Sequence, residues 1–131
     1  MVSLNQWDPA WNTGVAEIDA EHQHLWQILR AFQDAYMEFG PAVTVGVLDE
    51  MVDYTSYHFG NEERQLELRK YARLPEHKQA HADLKRQLLT YCDTIKKTTD
   101  REALTVDVGV FFQEWIVQHI LEMDFAAFRG Q

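Results

Sequence analysis

"LPEHKQAH", Leu74 to His81, sets two histidines four positions apart, just behind a proline. Proline suits the first helical position, where its missing N–H had no partner in any case. The stretch therefore predicts a helix beginning at about Pro75. Four residues make about one turn, so His77 and His81 point the same way. They share that face with Leu84, Leu88, Tyr91 and Ile95. Two imidazoles on an apolar helix face belong to an interior, and they require partners there.

Three further segments carry the same three- and four-residue apolar spacing. One runs from about Ala20 to Phe39, with His22 on the face of Leu25, Leu29, Phe32 and Tyr36. Asp19 is the expected N-cap. "FGP" at Phe39–Pro41 is the expected stop, with glycine at the helix end and proline barring continuation. The next runs from about Val45 to Arg69 through Leu48, Met51, Thr55, His58, Glu62 and Leu66. The helix of His77 and His81 ends near residue 98, where Lys96 and Lys97 suit the negative end of its dipole. "TDRE", Thr99 to Glu102, predicts a capping box for the last helix, about residues 101–128. That helix carries Val108, Phe112, Trp115, Ile116, His119 and Met123. The expected fold is all-α: an up-down-up-down antiparallel four-helix bundle spanning residues 1–131 as one domain. Residues 1–18 form an N-terminal arm whose Trp7 and Trp11 pack on it.

The six inward polar residues on these faces are His22, His58, Glu62, His77, His81 and His119, and Asp124 follows. Their heights agree. His22 lies 17 residues before Phe39, and His58 lies 13 after Val45. His81 lies 17 before Thr98, and His119 lies 18 after Arg101. At about 1.5 Å per residue, all four helices deliver their polar residues to one slab, in the half of the bundle where the first and third helices begin. Five imidazoles and two carboxylates in an apolar core cannot all satisfy one another, and buried lone carboxylates cost several kcal/mol each. Cations resolve this. Seven ligands exceed what one tetrahedral zinc takes, whereas two six-coordinate ions sharing carboxylate bridges would use them. Imidazole and carboxylate without thiolate favour iron over manganese and zinc. In a regular helix, five residues from His119 to Asp124 turn about 140°, so these two are expected to point differently, as one terminal and one bridging ligand.

"GVAEIDAEH" (Gly14–His22), "HFGNEE" (His58–Glu63), "HKQAH" (His77–His81) and "WIVQHILEMD" (Trp115–Asp124) together resemble the hemerythrins, in particular single-domain bacteriohemerythrins. The resemblance covers nearly the whole chain, in order. It implies reversible dioxygen binding at a non-haem di-iron centre with an oxo or hydroxo bridge. Carried over by motif, His77, His81 and His119 complete one iron. His22 and His58 bind the other and leave it an open position. Glu62 and Asp124 bridge the two. Leu25, Trp26, Phe59, Trp115 and Ile116 are the expected apolar wall of the dioxygen pocket, where dryness limits oxidative loss.

The bulk composition agrees with such a reading. The net charge of −9 excludes a phosphate-binding basic patch, and with it nucleic acid and anionic membrane surfaces. No stretch has the length of a membrane span. A single cysteine, Cys92, precludes an internal disulfide and suits a reducing cytoplasm. The expected protein is a cytoplasmic monomer that stores dioxygen or delivers it to an O₂-consuming enzyme. The same irons acting on peroxide or nitric oxide, a sensor, and an iron store are the alternatives. His24 is expected at the surface, Glu63 as a solvated glutamate in place of an imidazole acceptor, and the ExxH at Glu21–His24 as a chance match.

Overall fold

The computed structural model describes residues 7–40, 44–97 and 101–129. Four long helices follow a short turn of 3₁₀ helix at Pro9–Trp11: α1 (Ala16–Phe39), α2 (Thr44–Leu68), α3 (Leu74–Lys97) and α4 (Arg101–Gln118). α4 runs on through a π-helical turn, His119–Asp124, into a closing helix, α5 (Phe125–Arg129). α1 packs on α2 and α4, and α3 packs on the same two. The molecule is the up-down-up-down bundle, with no strand among the described residues.

α1 starts four residues earlier than expected, and Asp19 is not its N-cap. Val15 holds that place without a side-chain cap. Asp19 lies one turn inside the helix and folds its carboxylate back over the end. It accepts from the Thr13 amide at 2.6 Å, the Thr13 hydroxyl at 2.8 Å and the Gly14 amide at 3.2 Å. Gly14, at φ +93°, makes the corner that brings these donors round. The carboxylate thus ties the arm to the bundle. At the other end, Gly40 (φ +78°) returns its N–H to the Tyr36 carbonyl. Pro41 and the Thr99–Glu102 capping box lie outside the described residues or side chains.

The α2–α3 turn closes on Lys70 in the left-handed conformation (φ 56°). The Tyr71 amide reaches the Leu66 carbonyl at 3.0 Å and the Lys70 amide the Glu67 carbonyl at 3.0 Å, the hydrogen-bond pair of a Schellman motif. Tyr71 also packs against the apolar cluster that contains Leu66. This five-residue connection allows α2 and α3 to present residues 58–62 and 77–81 at one level.

Two apolar clusters result. The larger fills the bundle with Leu25, Leu29, Phe32, Met51, Leu88, Phe112 and their neighbours. The smaller, Ile18, Leu66, Ala127 and Phe128, closes the end where α1 and α3 begin. By register, the polar layer lies between them. The arm covers one side: Trp7 and Trp11 meet edge-on at 5.1 Å between ring centroids, and both contact Trp26 of α1, at 6.0 and 5.1 Å.

Candidate metal centre

All seven expected ligands meet in this layer, each 3 % exposed or less. Their ligand atoms form two groups, each within 4.8 Å throughout: Glu62, His77, His81, His119 and Asp124; and His22, His58, Glu62 and Asp124. The two groups share Glu62 and Asp124 and nothing else. Glu62 Oε1 lies 2.7 Å from His77 Nε2 and 3.0 Å from His81 Nε2, while its Oε2 lies 3.2 Å from His22 Nε2 and 3.1 Å from His58 Nε2. Asp124 divides its oxygens the same way. Oδ1 lies 2.8 Å from His77 Nε2 and 2.9 Å from His119 Nε2, and Oδ2 lies 3.0 Å from His22 Nε2.

Asp124 reaches this position because the backbone leaves the α-helical pattern. In the π-helical turn His119–Asp124, i→i+5 bonding brings residues five apart onto one face. The divergence expected of a regular helix is thereby much reduced, and both residues face the same centre.

The Asp124 oxygens point to a cation site. Despite those short distances, neither is in hydrogen-bond geometry with any group, and both are fully buried. Two orphaned carboxylate oxygens surrounded by imidazole Nε2 atoms are poorly served by hydrogen bonds and well served by cations between oxygen and nitrogen. His81 Nε2 and His119 Nε2 likewise face each other at 3.0 Å. The donor set suits a di-iron site.

Without metal the cluster must hold protons. Burial alone would lower the His22 imidazole, but close contact with Asp124 and Glu62 and their charges outweigh it and raise it to about 9. His77 rises to about 10 against the same burial penalty, and His58 and His119 are raised too. Glu62 and Asp124 are pushed down: burial opposes ionisation, but the surrounding imidazoles win. Imidazoles raised above their unfolded value of about 6.5 stabilise the fold fully below that pH. That stability is lost as pH rises through about 9 to 10. The depressed carboxylates stabilise above their unfolded value of about 4 and lose that only in stronger acid. The metal-free chain is therefore expected to be most stable between about pH 5 and 6.5. Its melting temperature should fall by several degrees toward pH 9.5, as thermal melts of chelated protein would show. An equal melting temperature at both values would contradict the proton-holding cluster.

Carboxylates also stand behind two imidazoles. Glu21 accepts from His58 Nδ1 at 2.6 Å and from Asn61 Nδ2 at 2.7 Å, and Arg64 donates to Asn61 Oδ1. Glu63 Oε2 pairs with His81 Nδ1 at 2.9 Å. Glu63 is thus the imidazole acceptor and not merely a solvated glutamate, and Glu21 is buried and structural, though not as part of an ExxH motif. The signal was available: an imidazole that offers Nε2 to a metal needs an acceptor at Nδ1. Glu21 and Glu63 each adjoin a ligand in sequence, turned about 100° toward the neighbouring helix. Replacing Glu21 by glutamine is expected to weaken metal retention about tenfold, read by chelator competition. Retention equal to the wild type would remove this role.

The five wall residues fall in different places. Phe59 lies flat on His81, centroids 3.8 Å apart and planes within 3°, and Trp115 lies on His119 at 4.3 Å and 12°. Both clamp imidazoles of the His77/His81/His119 group. Leu25 and Ile116 sit three residues from His22 and His119 in the buried core. Trp26 joins the tryptophan cluster, where Trp7 comes within 6.3 Å of His22 between centroids. His24 is half-buried against Tyr54, 4.1 Å between centroids, and is not a free surface residue. Cys92 is buried in the large cluster, and burial pushes its thiol up. No described helix is long and apolar enough to cross a membrane.

Fold and donor set define a four-helix-bundle protein built around a His/Glu/Asp cluster of di-iron type. The family described as hemerythrin HHE cation binding domain matches residues 13–129, and the chain belongs to it. It is 29% identical to myohemerythrin-1 of Phascolopsis gouldii over 119 residues, covering 91% of this chain and 87% of that one. It is 28% identical to the bacteriohemerythrin of Methylococcus capsulatus over 126 residues, covering 94% and 93%. A bacteriohemerythrin of Stenotrophomonas maltophilia is 26% identical over 119 residues, covering 91% and 76%. Membership supports a non-haem di-iron protein that binds oxygen.

Proposed function

We propose that this protein binds dioxygen reversibly at two irons and serves to store it or to deliver it to an O₂-consuming enzyme in the cytoplasm, acting as a monomer. One observation carries the reading. Two donor groups share only Glu62 and Asp124, and each carboxylate turns one oxygen to each group. His77, His81 and His119 would hold one iron, His22 and His58 the other, with both carboxylates between. The pair of irons would supply the electrons that hold dioxygen and return them on its release.

The chain's own residues favour binding over turnover. With three nitrogens on one side and two on the other, the ligand would be held on the side of His22 and His58. Glu21 and Glu63 fix the rings of His58 and His81. Phe59 and Trp115 pin His81 and His119. Leu25 and Ile116, each 1 % exposed, keep water from the layer above. Leu25, Trp26, Phe59, Trp115 and Ile116 would together enclose the dioxygen pocket.

Iron-loaded protein, reduced without oxygen and then exposed to it, tests this. The expected result is a new absorption band that disappears under argon and returns with air over repeated cycles. Immediate permanent oxidation, with sustained consumption of peroxide or nitric oxide, would replace the carrier reading by an enzymatic one.

A further inference from the structure

The layer of side chains directly above the donors contains one polar member. Moving three residues from His22, His58, His81 and His119 toward the large core reaches Leu25, Thr55, Leu84 and Ile116, one from each helix. Each is 1 % exposed. Three are aliphatic. The fourth, Thr55, carries a buried hydroxyl with no hydrogen-bond partner. A threonine within a helix often donates to the carbonyl four residues back, and Thr55 does not. An unpaired hydroxyl in such surroundings carries a desolvation cost that valine, of the same shape, would avoid.

We propose that Thr55 is a specificity-determining residue of the centre: its hydroxyl donates a hydrogen bond to a small ligand with a lone-pair terminus held on the His22/His58 side. This rests on the oxygen-binding reading above. Thr55 stands one turn, about 4.5 Å along the axis, from His58 on the same inward face of α2, and α2 packs on α1, which carries His22. The other three members of the layer offer only hydrocarbon, so within this layer the hydrogen bond to the ligand comes from Thr55. Ligands with an acceptor terminus, dioxygen and linear anions among them, are selected over those without one.

Thr55→Val and Thr55→Ser test the proposal with two readouts. The first is the melting temperature of metal-free protein. Valine should raise it by a few degrees by removing an unpaired hydroxyl, and a lower value would mean that the hydroxyl has an internal partner and would overturn the proposal. The second is titration of oxidised, iron-loaded protein with sodium azide, followed by absorbance. Valine should weaken azide about five- to tenfold, the worth of one hydrogen bond, and serine should stay near the wild type. Azide affinity unchanged in Thr55→Val, with the wild type binding normally, would overturn this inference alone. A wild type that binds iron but neither azide nor dioxygen would overturn the oxygen-binding reading and this inference with it.

Discussion

Replacing Glu62 by glutamine is expected to cut iron retention from two ions per chain to less than one, while the same change at the adjacent Glu63 costs far less. Glu62 is fully buried and meets imidazoles of all four ligand-bearing partners on α1, α3, the π-helical turn and its own helix. Glutamine keeps its shape but loses the charge that balances two cations. It also turns an NH₂ group toward nitrogen atoms that need an acceptor or a metal. Glu63 touches His81 only from behind, and loss of such a supporting partner costs about 10- to 100-fold in affinity. Loss of Glu62 should exceed that range. Iron measured after loading and desalting gives the answer. Two irons retained by Glu62→Gln would mean that this carboxylate does not join the groups.

Removal of metal from the wild type is expected to lower stability by at least about 4 kcal/mol at ligand concentrations near a thousandfold above the dissociation constant. For a domain of this size that corresponds to about 15 °C in melting temperature. The physical cause is the donor layer. Seven polar side chains lie between two apolar clusters, and protons satisfy them less well than cations. The orphaned Asp124 oxygens are the clearest sign. Because the imidazoles must release protons to bind metal, the gap between loaded and chelated protein should widen from pH 6 to pH 9. Calorimetry of both forms measures it, and a gap that is absent or narrows with pH would contradict the coupling.

How much of this could be read from the residues depends on how local the cause is. The levels of His22, His58, His81 and His119 follow from rise per residue and from turn signals, and both are properties of short stretches. Four helices and one polar layer were therefore legible. The π-helical turn was not. "HILEMD" contains nothing that breaks an α-helix; the extra residue per turn makes sense only with the centre, which needs His119 and Asp124 on one face. Asp19 misled for a related reason. As an aspartate near a helix start it looks like a cap, but Thr13 and Gly14 hold its oxygens and let the helix begin a turn earlier. Glu21 and Glu63 adjoin ligands in sequence, but which imidazole each supports depends on which face of α1 meets α2 and which face of α2 meets α3. Phe59 and Trp115 were legible as apolar neighbours of the centre, but their stacking on His81 and His119 depends on side-chain orientation across helices.

The central claim is that two irons sit side by side, joined by Glu62 and Asp124. Crystals of iron-loaded protein, measured at the iron absorption edge, test it most directly. The account predicts two anomalous peaks within the donor layer, one beside His77, His81 and His119 and the other beside His22 and His58, with both carboxylates between them. A single peak, or peaks away from these seven side chains, would contradict it.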